Sequence, residues 1–173
     1  MPCNTVFRIS TMSEAMLLTV TGLVESPRGF SFDELAAFDA AAQVSDVSTL
    51  DARRRGAAVT LKGLLAAVGP LADAKYLTLH ASRDDFHASI PLSEVIERAV
   101  LIYRLDGAPL PVEAGGPVRF FIPDFQACHS ADIDECANVK FIDCMELSRE
   151  PGQDNRPESE RAHAALHRGE PKA

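Results

Sequence analysis

The run YRLDGAPLPVEAGGPVRFFIP, residues 103–123, constrains the fold more than any other stretch of the chain. Its prolines exclude a helix interior, because each removes an amide donor and clashes with the preceding turn. Asp106-Gly107 is a tight-turn signal at the end of the apolar run VLIYRL. PVRFFIP then reads as a second strand, fenced by prolines and entered through a Gly-Gly-Pro corner. Arg119 stands inside that otherwise apolar strand. A buried cation must be paired or must meet an anion. Asp124 or Asp106 could neutralise it as a purely structural cation; otherwise it faces an anionic ligand.

The rest of the chain supplies short elements of both kinds. LLTVTG reads as a strand ending at Gly22. SFDELAAF carries Ser31 and Glu34 at the spacing of a capping box, which predicts a short helix. In TLKGLLAAVGP, Leu61, Leu64, Leu65 and Val68 fall at helical spacing, and Gly69-Pro70 ends the helix. AKYLTLHA and DDFHASIP are strands around a polar turn, LSEVIERA is a short helix, and NVKFIDCMEL is the last strand. Short helices among many antiparallel-type strands predict an α+β, strand-rich mixed fold. The boundaries read from the sequence are a flexible arm over 1–13, a domain over 14–148 and a disordered tail over 149–173. That tail is rich in Pro, Gly, Glu and Arg and has little apolar surface to bury.

Charge and composition exclude some functions. With 173 residues, 46% of them hydrophobic, the chain can bury a core without a disulfide or metal. The net charge of −8 and the lack of a basic face argue against nucleic acid as a partner. No apolar run approaches a membrane span, and no secretion signal is visible. The expectation is a cytoplasmic protein without a membrane partner, whose four cysteines are thiols.

Cys128, Cys136 and Cys144 recur every eight residues, and His129 follows the first. Cys128, His129 and Cys136 are the candidate metal ligands, although zinc sites favour shorter paired spacings. A redox-sensitive pair and ordinary small buried side chains are the alternatives. His163 and His167, four apart in the tail, could pair on a helix or be solvated. His80 and His87 flank the SRDD turn without a ligand spacing.

In their order, the blocks GLVESPRGFSFDELAAF, LKGLLAAVGP, AKYLTLHASRDDFHASIPLSEV, LIYRLDGAPLP, GGPVRFFIP and NVKFIDCMEL resemble the sulfite-oxidase-like molybdopterin-binding domain. The resemblance implies a molybdenum cofactor held through a phosphate-bearing pterin, and oxygen-atom transfer on a small oxo-substrate. Carried over by position, it implies that Arg119 contacts the cofactor and that Lys140 lies near the pterin phosphate. It also implies Asp84, or its neighbour Asp85, as the acidic residue of the turn before the Ser-Ile-Pro strand. Arg55, in the loop ARRRG, sits where the family presents a cofactor-facing segment. Arginine offers a planar fork to a phosphate, and lysine a point charge. The plainer readings are a solvent-facing Lys140 and a solvated arginine turn.

The chain departs from that family in several places. The family's metal ligand is a cysteine between the two capped helices, yet residues 39–60 contain none. Ser45 and Ser48 are weak replacements for a soft thiolate. Ala114 stands where a histidine is frequent, and the chain has no tryptophan. Three functions therefore compete: a molybdopterin-dependent oxidoreductase, a non-catalytic module on the same fold that binds an anion, a pterin or a partner, and a metal- or redox-sensing loop built from CHSADIDEC.

Overall fold

The computed structural model describes residues 15–124, 128, 133 and 135–157, without the side chain of Cys136. The arm expected over 1–13, His129, His163 and His167 lie outside the described residues.

Strand β1 (Met16–Gly22) turns back into β2 (Arg28–Ser31) and leads to helix α1 (Phe32–Ala36). The capping box forms as the sequence predicts. The Glu34 amide donates to Ser31 Oγ at 3.3 Å, and the Ser31 amide donates to Glu34 Oε2 at 2.9 Å. A long connection carries the two-residue β3 (Gln43–Val44) and a single helical turn at Val47–Thr49. Strand β4 (Ala57–Thr60) then runs into α2 (Leu61–Ala66). Thr60 caps α2 by accepting from the Gly63 amide at 3.1 Å, and Leu61, Leu64 and Leu65 are buried on one side of it.

A hairpin of β5 (Tyr76–Ala81) and β6 (Phe86–Pro91) follows, closed by a turn in which Asp85 takes φ 48. Next come α3 (Leu92–Val95), β7 (Val100–Leu105) and β8 (Ala108–Pro109). Asp106 and Gly107 both have positive φ, as the tight hairpin between β7 and β8 requires. Strand β9 (Arg119–Phe121) and β10 (Cys144–Ser148) complete the set. The last strand is shorter than NVKFIDCMEL suggests. Residues 138–143 form a loop, joined to the Gly-Gly-Pro corner by an isolated bridge between Val118 and Ile142.

Two sheets result. The first has the order β2-β1-β10-β5-β6, with β1 and β10 parallel and the other neighbours antiparallel. The second has the order β3-β4-β7-β8, and β9 pairs with β7 along Val100–Ile102. Period-two alternation decides which core each residue enters. Leu18, Val20, Leu77, Leu79, Ile90, Met145 and Leu147 of the first sheet join Val59, Leu101, Tyr103 and Phe120 of the second in one large core. The opposite face of the second sheet contributes Ala58, Val100, Ile102 and Phe121 to a smaller cluster with Val47 and Leu110. VLIYRL is apolar on both sides because it serves two cores.

Past Ser148 the chain stays against the first sheet. The chain from Gly152 to Arg156 is fastened along the free edge of β6. The Gly152 amide donates to Ser89 Oγ at 2.9 Å, the Asn155 amide to the His87 carbonyl at 3.0 Å, and the Ser89 amide to Asp154 Oδ2 at 3.1 Å. An exposed sheet edge leaves a row of unmet donors and acceptors. The polar composition read as disorder supplies the partners for that row. Residues 158–173 lie outside the described residues.

Candidate functional site: an arginine-lined cleft

Arg119 occupies the outer face of the second sheet, beside Ile102 on β7 and Ala58 on β4. It is half-buried, and its Nη1 donates to the Ala114 carbonyl at 3.3 Å. Its Nε is buried without a hydrogen-bond partner. Neither carboxylate that could have neutralised it does so. Asp106 lies 3.7 Å from Arg55 instead, and Asp124 lines a small adjoining pocket. No described residue forms an ion pair with Arg119. Its neighbour is another cation, Arg54, whose Nε is also buried and unpartnered. Burial, and secondarily the Arg54 charge, pull the Arg119 pKa below its ordinary value. Arg54 is held over the Phe121 ring, 5.2 Å from its centroid.

Two like charges with orphaned donors are an unfavourable arrangement for an empty protein and a favourable one for an anion. Arg54 also lines an open cleft of about 730 Å³. Arg55 and Arg104 add positive charge to its wall, Asp46 and Asp106 negative charge, and Gln43, Ser45, Ser48 and Tyr103 neutral donors and acceptors. The Tyr103 hydroxyl donates to Gln43 Oε1 at 3.1 Å, which fixes both groups. The Asp46 carboxylate caps the turn at Val47–Thr49 by accepting from the Ser48 amide at 2.9 Å. Hydrogen bonds from Ser48, and the charge of Arg55, hold its pKa below the usual value.

The Gly-Gly-Pro corner brings a third cation close. Gly115 has φ 100, and a Cβ there would stand 3.2 Å from Lys140 Cγ and 3.3 Å from Arg119 Cδ. Lys140 is exposed and lies in the loop before β10, not on the strand the sequence suggested. Phe141 takes φ 61, a costly conformation for an aromatic residue. It is held there by donating its amide to the Gly115 carbonyl at 2.8 Å and by Arg83 over its ring at 5.1 Å. Arg83 belongs to the β5–β6 turn, so the exposed Asp84 lies in a turn packed on the Lys140 loop.

Of the positions named from sequence, Arg119 and Lys140 are brought together, and Asp84 lies in a turn next to the Lys140 loop. Arg55 is on the cleft wall but exposed and engaged with Asp106; Arg54 is the arginine turned toward Arg119. The run of three arginines was the signal, but it could not say which one turns inward. Cys128 is set apart, its Sγ 3.8 Å from the Glu94 carbonyl, and burial pushes its thiol pKa up. Cys144 pairs with Thr21 Oγ1 at 3.9 Å, and burial likewise raises its thiol. Both are free thiols. Among the described residues no group of three or more His, Cys, Asp or Glu could hold a metal. Of the proposed metal set, His129 and the Cys136 side chain fall outside the described residues.

The fold is thus a two-sheet, strand-rich α+β domain with an arginine-bearing cleft on its second sheet. The chain belongs to the oxidoreductase molybdopterin binding domain family, whose model matches residues 7–155. Among solved structures it is similar to the sulfane dehydrogenase SoxCD from Paracoccus pantotrophus, with a TM-score of 0.58 and 20% identity. That match covers 83% of this chain and 40% of the SoxCD chain, so the protein spans less than half the length of this neighbour. No curated protein sequence matches the chain.

The family implies a molybdenum cofactor, and the residues fit one part of it. The orphaned Nε atoms of Arg54 and Arg119, with Lys140 close by, suit the phosphate. The metal part does not fit. No cysteine is among the residues lining the cleft, and its donors near β3 are the oxygens of Ser45, Asp46 and Ser48, the carboxylate being already used as a cap. A soft thiolate and a hard oxygen set do not select the same metal.

Proposed function

We propose that this domain binds a phosphate-bearing organic anion of the pterin class in the cleft, as a ligand-binding member of its oxidoreductase family. The reading is carried by the neighbouring like charges of Arg54 and Arg119, whose buried Nε atoms have no hydrogen-bond partner. Arg119 and Arg54 hold the phosphate through charge-assisted hydrogen bonds. Lys140 adds a charge near Arg119, Arg55 and Arg104 attract the ligand, and Asp84, in the turn packed on the Lys140 loop, is the acidic partner proposed for a ring amine. Oxygen-atom transfer on a small oxo-substrate is the finer reading of the family. No step of it is assigned to these residues, because the thiolate it depends on has no counterpart among those lining the cleft. Free Cys128 and Cys144 accord with a cytoplasmic location. No helix of the described chain is long and apolar enough to cross a membrane.

Thermal unfolding with inorganic phosphate, molybdate and a phosphate-bearing pterin tests the proposal. The pterin should stabilise the wild type by about 2.7 kcal/mol at a hundred times its dissociation constant. Arg119→Met and Arg54→Met should lose that response. Equal stabilisation of wild type and both variants would remove the basis for the site. Family membership favours a second reading, a metal-bearing oxidoreductase. Stoichiometric molybdenum in protein purified from a host that makes the cofactor would establish it.

A further inference from the structure

The outer face of the first sheet carries a cluster that the cleft does not use. His80 on β5 and His87 on β6 are register partners, and their Nδ1 atoms stand 2.8 Å apart. Each ring also meets a carboxylate: His80 Nε2 lies 3.4 Å from Glu146 Oε2, and His87 Nε2 lies 3.1 Å from Asp85 Oδ1. Both rings are largely buried, with side-chain exposures of 17% and 11%. The result is a four-group chain running carboxylate, imidazole, imidazole, carboxylate.

Counting protons along this chain leaves one state that satisfies every contact. A carboxylate only accepts, so His87 Nε2, hydrogen-bonded to Asp85, must carry a proton, and the longer contact with Glu146 favours one on His80 Nε2. Between the two Nδ1 atoms there must be one proton, because two would oppose donor to donor and none would oppose lone pair to lone pair. Three protons on two imidazoles make one imidazolium and one neutral ring. We infer that His80 and His87 form a proton-binding site that holds a single shared positive charge and latches the C-terminal strap, Gly152 to Arg156, onto β6.

The connection to the strap is direct. The backbone of His87 is bonded at both ends to Asn155, its amide donating to Asn155 Oδ1 at 2.8 Å and its carbonyl accepting from the Asn155 amide at 3.0 Å. Asn155 Nδ2 donates to the carbonyl of Asp85, the residue that orients the His87 ring, at 2.6 Å. A fourth proton on the pair places two N–H groups against each other and drives the rings apart. His87 must then move, and Asn155 moves with it. The released state takes up more protons than the latched state, so the latch strengthens as pH rises through this step and is lost below it.

Other ionisable groups face the pair from each neighbouring element. On β10 they are Glu146 and, in register with His80, the thiol of Cys144. Asp143, whose amide donates to the His80 carbonyl at 3.0 Å, directs its carboxylate to Ser82. Asp85 lies in the turn with Arg83 and Asp84. The strap adds Asp154 and Arg156, which are bonded to each other and to β6. Burial alone would raise the Asp154 carboxyl, but hydrogen bonds from Arg156 and from the Ser89 amide hold it below the ordinary value.

Histidine side-chain NMR and amide hydrogen exchange on the full chain test this. On acidification of the folded chain the pair should take up its last proton in one coupled step. Protection factors of the His87 and Ser89 amides should fall about tenfold or more through that step, while amides of β1 and β10 keep theirs. In His80→Gln the pH dependence should disappear. Asn155→Ala should leave the coupled titration in place and lower His87 and Ser89 protection at every pH. Two independent histidine titrations, or unchanged strap protection across that step in a folded wild type, would overturn the inference.

Discussion

The two sheets turn very different outer faces away from their shared core. On the first, Thr78 donates to Ser89 at 3.3 Å, His80 and His87 are paired, and Asp154 and Arg156 are bonded to each other and to β6. The strap covers this face, leaving Thr78 at 1% and Ser89 at 6% exposure. On the second, the Nε atoms of Arg54 and Arg119 are buried without a partner, and Arg54 lines an open cleft. A polar group that is buried and bonded is explained by the fold; one that is buried and unbonded calls for a ligand. The contrast separates the bonded face from the face with unmet donors without reference to any relative.

Four substitutions probe that separation, in falling order of effect. Phe120, fully buried in the core behind both faces, should cost about 3–5 kcal/mol as Phe120→Ala, read by urea unfolding, and weaken both faces together. Arg119→Met should keep stability within about 1 kcal/mol of wild type, since it removes an uncompensated charge, yet lower affinity for a phosphate-bearing pterin about tenfold to a hundredfold by calorimetry. A large loss of stability would mean that Arg119 is structural after all and that the two faces are alike. On the covered face, Asp154→Asn should cost roughly 1 kcal/mol at neutral pH. Because the folded carboxyl lies below its unfolded value, that contribution is present above the unfolded pKa and fades as pH falls through the folded one, so wild type and variant should converge in acid unfolding curves. Arg55→Ala, breaking an exposed 3.7 Å pair with Asp106, should change stability by less than about 0.5 kcal/mol. Its effect on ligand affinity should be far smaller than that of Arg54→Ala.

Local physics made much of the fold legible. The capping box at Ser31 and Glu34, the Asp106-Gly107 turn and the leucine spacing of α2 each depend on residues within one or two turns of one another. They form as the sequence spacing predicts. The bonds of residues 152–156 were not legible in the same way, because their polar composition suits a solvated tail equally well. Only the unpaired edge of β6 turns those side chains into bonds. The sequence pattern also extended the last strand back through Lys140, where the contact of Phe141 with Gly115 holds the chain in a loop.

The sequence by itself determined that a cation stands in an apolar strand beyond a proline corner, and that no cysteine lies in the segment where the family carries one. It could not determine what that cation meets. Arg54 and Arg119 are far apart along the chain, and so are His87 and Asn155. Charge pairing depends on a few ångströms of through-space distance, which strand register and sheet order set. Tertiary structure therefore decided that Arg119 faces a second arginine instead of Asp106 or Asp124, and that two histidine rings meet across a hairpin.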